Sequence, residues 1–119
     1  MKKTYITLSF VFAGLLATAQ NKSTQEADKL YNRYEYIDAA DAYLKLVNAG
    51  KADNYVYRQL ADSYYNMFNT QEAAKWYAKA VETDQDAETY YRYAQMLKAQ
   101  GKHQEAQKQM QKFAAKAPN

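Results

Sequence analysis

The sequence repeats itself with a period of about 34 residues, which limits the chain to an array of similar structural units. Five positions of the period carry matching residue types, two of them only alanine. The columns are Ala27, Ala61 and Ala94; Ala39, Ala73 and Ala106; Leu30, Tyr64 and Leu97; Tyr43, Tyr77 and Met110; and Leu46, Ala80 and Phe113. This agreement predicts repeats at 20–53, 54–86 and 87–119.

Each repeat is predicted to fold as two amphipathic helices joined by a short turn. Leu60 and Tyr64 are four residues apart, a spacing that places both on one face of a helix. Ala61 and Ala73 are small residues where the two helices of the middle repeat would touch. The fold class is therefore predicted to be all-α. The expected helices are 22–34, 37–48, 54–67, 70–83, 87–100 and 103–116.

Helix boundaries have local sequence signals. Asp53 or Asn54, then Thr70, and then an Asp within 83–86 are predicted to cap helix starts, and Gly101 is predicted to end a helix. The pair Met67 and Phe68, at the end of a helix, is interpreted as core and turn packing.

Composition argues against an enzyme or a metal protein. The chain has no cysteine and one histidine, which leaves no thiol chemistry and few soft metal ligands. No nucleophile and base are paired by spacing, and no Gly-rich phosphate loop is present. The formal net charge of +3 comes from bases interspersed with acids, so a nucleic-acid partner is not expected. We predict no catalytic residues, no cofactor and no metal.

Residues 1–19 are predicted to be a secretory signal peptide. Lys2 and Lys3 form a positive start, 5–16 is apolar, and Ala17-Thr18-Ala19 is a small-x-small cleavage site. The apolar run is shorter than the roughly 20 residues that span a bilayer. No cysteine follows the site, so a lipoprotein is not expected. An exported, periplasmic bacterial protein is predicted, with association to the outer membrane as an option.

The period, the helix pairs and the columns together resemble the tetratricopeptide repeat family. The middle repeat matches the family pattern at Tyr57, Leu60, Ala61, Tyr64, Ala73, Tyr77 and Ala80, and the third at Tyr90, Tyr93, Ala94, Leu97, Gly101, Ala106 and Pro118. The early Trp of the family is absent, and only the third repeat has the late Pro. The resemblance implies a right-handed α-solenoid that binds proteins along a concave groove.

A narrower resemblance is to the N-terminal region of outer-membrane-protein-A-like proteins of Bacteroidetes, some of which work with type IX secretion. It is carried by the order of signal peptide, ADKLYNRYEYIDAADAYLKLV, and two further Tyr-rich repeats. In that family a propeller-like segment and a peptidoglycan-binding domain follow. Neither is in this sequence, so peptidoglycan binding is assigned to no residue here. A fragment of a longer protein and a separately encoded module are both open.

Superposition on the tetratricopeptide pattern implies which residues line the groove on the first helix of each repeat. Tyrosine offers a large ring and a hydroxyl at modest entropic cost, so a Tyr-rich groove suits an extended peptide or a helix. The alternative is that these tyrosines only pack between helices. The predicted partner-binding residues are Asp28, Tyr31, Asn32, Tyr55, Arg58, Asp62, Tyr65, Asn66, Tyr91, Gln95 and Lys98.

The last helix is predicted to expose a packing face, because terminal repeats lack a neighbour on one side. This face comprises Met110, Phe113 and Ala114. Its expected partner is a downstream domain, another copy of the chain or a different protein.

The function predicted from these features is a non-enzymatic scaffold of the bacterial envelope that docks a segment of a partner protein. Envelope or secretion components are the expected partners. The alternative is a structural spacer that packs against an adjacent domain, which in turn anchors to peptidoglycan.

Overall fold

A computed structural model describes residues 24–118, so the predicted signal peptide at 1–19 lies outside the described residues. All regular secondary structure in the described range is helical, and the all-α prediction is confirmed. None of the described helices is long and apolar enough to cross a membrane. The helices are α1 at 24–32, α2 at Tyr36–Asn48, α3 at Asn54–Asn66, α4 at Thr70–Ala80, α5 at Ala87–Ala99 and α6 at His103–Lys116.

The helices form a repeat-like array around one continuous core. From α2 onward each helix packs against the next one in the chain, and α3 also contacts α5. Ala27 brings α1 into the same core. Ala61 and Ala73 are completely buried where α3 and α4 meet. A larger side chain at either position would hold the two helices apart. The largest fully buried side chains include Tyr43, Leu60, Tyr77 and Leu97.

Of the helices from Tyr36 onward, three begin with a side-chain cap. The carboxylate of Asp53 accepts from the Val56 amide at 3.0 Å, and Asp86 accepts from the Thr89 amide at 3.0 Å. Both agree with the sequence. The prediction that Thr70 caps α4 is wrong, because Asn69 caps that helix by accepting from the Glu72 amide at 3.2 Å.

The end of α4 also differs from the sequence prediction. This helix stops at Ala80, three residues before the predicted end at 83. The side chain of Gln85 donates to the Ala80 carbonyl at 2.8 Å. It thereby satisfies one of the carbonyls that a helix end leaves without a partner.

The first helix of each pair ends in the same backbone motif. Tyr34, Phe68 and Gly101 occupy equivalent positions and have φ of 63°, 57° and 76°. After Phe68, for example, the Asn69 amide donates to the Tyr64 carbonyl at 3.0 Å, while the Phe68 amide donates to Tyr65 at 3.0 Å. This pair of bonds defines a Schellman motif, in which the left-handed residue is normally glycine. Gly101 ends α5 as predicted.

Aromatic residues at two of these left-handed positions are unusual. A Cβ in this conformation crowds the backbone and costs about 1–2 kcal/mol. Phe68 does not recover that cost by burial, because its side chain is 84% exposed. Of the pair interpreted as core and turn packing, Met67 packs against the core, whereas Phe68 lies in the turn and does not pack.

Candidate functional site

The carboxylate of Asp28 in α1 is held by hydroxyls from the next two helices. Tyr43 of α2 and Tyr55 of α3 both donate to its Oδ1, the second at 2.9 Å. Gln59 of α3 donates from Nε2 to the Tyr43 hydroxyl at 3.0 Å. Arg58 lies over the Tyr55 ring, with its guanidinium carbon 5.4 Å from the ring centre. One carboxylate thus connects α1, α2 and α3.

The carboxylate of Asp62 in α3 forms a second cluster, in which it again receives donors from the next two helices. Tyr77 of α4 donates its hydroxyl to Oδ1, and Nη1 of Arg92 in α5 lies 3.2 Å from the same oxygen. Nη2 of Arg92 donates to Glu88 Oε1 at 2.6 Å. The Arg92 guanidinium carbon also lies 4.8 Å from the centre of the Tyr65 ring. Asp62 therefore links α3, α4 and α5, and it is only 7% exposed.

The two clusters are related by the sequence repeat. Asp28 and Asp62 are 34 residues apart, as are Tyr43 and Tyr77. In each case the carboxylate of a first helix receives a tyrosine hydroxyl from its own partner helix and a donor from the first helix of the next pair. The third repeat has Gln95 and Met110 at the equivalent positions. The carboxylates consequently tie neighbouring helix pairs together.

Burial fixes the protonation of these groups. Desolvation raises the pKa of Tyr43 and Tyr77 far above the usual value, and their carboxylate partners raise it further. Both hydroxyls remain donors across the physiological pH range. The pKa of Tyr55 is raised to about 12, again by burial and then by Asp28. Burial also raises the pKa of Asp62, against the opposing effects of Tyr77 and Arg92.

Several predicted groove residues gather around Arg92. Tyr65 packs against its guanidinium group, and Asp62 pairs with it. Tyr31 of α1 belongs to the same group: burial and the charge of Asp62 raise its pKa, and Arg92 lowers it in smaller measure. Tyr31 and Tyr65 are half-buried, so part of each ring faces solvent. Tyr31 of α1, Tyr65 of α3 and Arg92 of α5, with Asp62 beneath them, thus form one surface, which we call the tyrosine face.

Other predicted groove residues lie outside these two clusters. Asn66 is exposed and donates from Nδ2 to the Asp62 carbonyl at 2.8 Å. Asn32 and Lys98 are exposed, and Gln95 is half-buried. Tyr91 is 40% exposed and leans towards the last helix instead, with its ring centre 5.4 Å from that of Phe113.

The predicted packing face of the last helix is largely occupied from within the chain. Met110 is half-buried and packs against the core, and Phe113 is half-buried against Tyr91. Ala114 is exposed. Lys116 fastens the end of α6 by donating to the Gln85 carbonyl at 2.8 Å and pairing with Asp84.

Sequence reasoning missed Arg92, which contacts the predicted groove residues Asp62 and Tyr65. It lies four residues after Glu88 on α5, a spacing that favours an ion pair along a helix. It also follows Gln59 by 33 residues, and Gln59 belongs to the first cluster, where it donates to the Tyr43 hydroxyl. The available signal was that an Asp and a Tyr recur together one repeat apart, as Asp28 with Tyr43 and then as Asp62 with Tyr77.

The described residues contain no group of His, Asp and Glu side chains that could hold a metal ion. Comparison of the sequence with models of known protein families, and with curated proteins, finds no match in either case. The site presents aromatic rings, guanidinium groups and amides, which are groups common at protein-binding surfaces.

Proposed function

We propose that this chain is an exported tetratricopeptide-type scaffold of the bacterial envelope that docks a segment of a partner protein on its tyrosine face. Its three helix pairs would stack as a right-handed solenoid. The supporting observation is the assembly of half-exposed Tyr31 and Tyr65 around Arg92, from three different helices. Tyrosine and arginine dominate binding hot spots because they combine large contact area with directional hydrogen bonds.

The internal hydrogen bonds of the tyrosine face support this proposal in a second way. Asp62 and Glu88 hold the Arg92 side chain in one position. A partner that binds there loses little additional side-chain entropy, which favours affinity. The envelope location rests on the predicted signal peptide, and a link to type IX secretion rests on the resemblance to outer-membrane-protein-A-like proteins. Periplasmic or outer-membrane proteins are accordingly the proposed partners.

A structural spacer is the second candidate, and one observation favours it. Asp28 and Asp62 use their oxygens to join neighbouring helix pairs, which makes the array stiff rather than adaptable. A stiff array could pack against an adjacent domain and hold it at a fixed distance. That role needs no exposed rings on the tyrosine face.

Affinity capture separates the two candidates. The bait is the chain from residue 20 onward, used on an envelope extract of the producing bacterium. A variant with Tyr31, Arg58, Tyr65 and Tyr91 all replaced by serine is expected to lose at least tenfold of the captured partner, because four contact side chains are removed. Captured proteins are quantified by mass spectrometry.

The matched control replaces four exposed residues of α4 and α6, namely Gln71, Gln107, Lys108 and Gln111, by serine. This variant is expected to retain the partner. Circular dichroism confirms that both variants keep their helices. Equal capture by wild type and the first variant would favour the spacer.

A further inference from the structure

The turns inside the first two helix pairs, together with the start of α2, carry the most exposed large apolar side chains of the described residues. Phe68 is 84% exposed, Tyr34 is 78% exposed and Ile37 is 68% exposed. We call these three residues, with Met67, the turn edge. None of its members takes part in the Asp28 or Asp62 clusters. It adjoins the tyrosine face through Tyr36, whose ring contacts both Tyr34 and Tyr31.

The backbone gives no reason for aromatic residues at these turns. Tyr34 and Phe68 are held at φ of 63° and 57°, where Gly101 serves the same turn in the third pair. Glycine would relieve the crowding at both positions. The Phe68 side chain points to solvent. The Tyr34 ring is also largely exposed, although it lies against Tyr36 with 6.2 Å between the ring centres, so burial in the core accounts for neither side chain. Their remaining use is contact with another molecule.

A hollow beside Tyr34 indicates which chemical groups that molecule would bring to this surface. It has a volume of about 340 Å³ and is lined by Tyr34, Glu35, Tyr36, Ile37, Asp38 and Met67. This volume lies at the lower end of the range for ligand sites, and suits one or two apolar side chains.

The charge around the hollow is negative. Glu35 and Asp38 make no ion pair with any described residue. Segment 33–41 contains one arginine against three acidic residues. An apolar hollow with unpaired carboxylates at its rim complements an apolar side chain flanked by lysine or arginine.

We propose that the turn edge is a second docking surface, which binds a basic amphipathic segment of another protein. One apolar side chain of that segment enters the hollow between Ile37 and Met67. Its lysine or arginine residues pair with Glu35 and Asp38. The exposed rings of Tyr34 and Phe68 cover the segment from the side.

A designed peptide tests the proposal. The probe is a 16-residue amphipathic helix of leucine and lysine, titrated into the isotope-labelled chain from residue 20 onward and followed by NMR. Saturable binding is expected, with shifts centred on Ile37, Asp38 and Met67. The double replacement Tyr34→Gly and Phe68→Gly is expected to weaken binding at least tenfold. The same variant should melt about 5 °C higher, because two strained positions are relieved.

The rise in melting temperature excludes unfolding as the cause of lost binding. The double variant Glu35→Gln with Asp38→Gln is expected to weaken binding of the peptide at least fivefold. The control variant Glu82→Gln with Glu105→Gln removes two exposed carboxylates elsewhere and should leave peptide binding unchanged. A probe with glutamate in place of lysine should not bind.

Four outcomes would overturn the proposal. Equal binding by wild type and the double glycine variant is one, and equal binding of the lysine and glutamate probes is another. Shifts centred on Tyr65 instead of the hollow would assign the peptide to the tyrosine face. Dimers of wild type that the glycine variant cannot form would show that a second copy covers the turn edge.

Discussion

Replacing Tyr77 by alanine is expected to lower the free energy of unfolding by about 4 kcal/mol. The ring is completely buried between α3, α4 and α5, and removing a buried aromatic side chain costs about 3–5 kcal/mol. The substitution also takes a hydroxyl donor from the buried carboxylate of Asp62. Urea denaturation followed by circular dichroism at 222 nm measures the change.

Two conservative variants separate the ring from its hydroxyl. Tyr77→Phe keeps the ring and is expected to cost about 1–2 kcal/mol, because only one hydrogen bond to a buried charged group is lost. Tyr43→Phe removes the equivalent bond to Asp28 and also the hydroxyl that accepts from Gln59. A similar cost of about 1–2 kcal/mol is expected, because a buried donor loses its acceptor while the half-buried Asp28 keeps its bond from Tyr55. A neutral effect of both variants would show that the carboxylate clusters do not contribute to stability.

Replacing Arg92 by alanine is expected to lower the free energy of unfolding by about 2–3 kcal/mol at pH 7. The pair with Asp62 is largely shielded from solvent, with side-chain exposures of 23% for Arg92 and 11% for Asp62. Losing one partner of such a pair leaves an uncompensated buried charge, which is why the cost exceeds that of a surface ion pair. The cost is expected to stay below that of losing a fully buried charge partner, because part of the Arg92 side chain is exposed to solvent.

The cost of losing Arg92 is expected to depend on pH, with a sign that follows from linkage. Without Arg92, the pKa of Asp62 in the folded state rises further above the ordinary value of 3.8. Destabilisation by the charged carboxylate is then fully present above that raised pKa. It fades as the pH falls through the raised pKa and disappears only below 3.8, where Asp62 is protonated in both the folded and the unfolded state.

Urea denaturation of wild type and Arg92→Ala at pH 7 and pH 4 tests this dependence, and the difference between the two proteins should be smaller at pH 4. In an Asp62→Asn background the loss of Arg92 should cost less at pH 7. Arg92→Lys should be intermediate, because lysine keeps the charge without the planar fork. An Arg92→Ala penalty of equal size at both pH values would contradict the assigned role of Asp62.

The helices and their close contacts were predictable because they depend on local periodicity and residue size. Ala61 and Ala73 could be placed at a helix contact from their columns alone, and both are completely buried. The cap of α4 was misplaced by one residue, since Asn69 and Thr70 are adjacent and both types cap helices.

The roles of the charged residues were not predictable in the same way. A carboxylate on an amphipathic helix normally faces water, so Asp62 was assigned to a binding surface. Its burial depends on Tyr77 and Arg92, which come from two other helices and reach it only in the folded chain. The left-handed conformation of Phe68 could not be predicted either, because this conformation is normally expected at glycine and not at an aromatic residue.

Photo-cross-linking in cells that produce the chain tests most directly whether the tyrosine face docks a partner. The photoreactive amino acid p-benzoylphenylalanine replaces one exposed residue at a time: Asn32 or Asn66 among the predicted groove residues, and Ala78 or Gln107 elsewhere. Irradiation is expected to yield one discrete adduct from each of the first two positions and none from the other two. Adducts from Ala78 or Gln107 alone, or from none of the four positions, would contradict the proposed function.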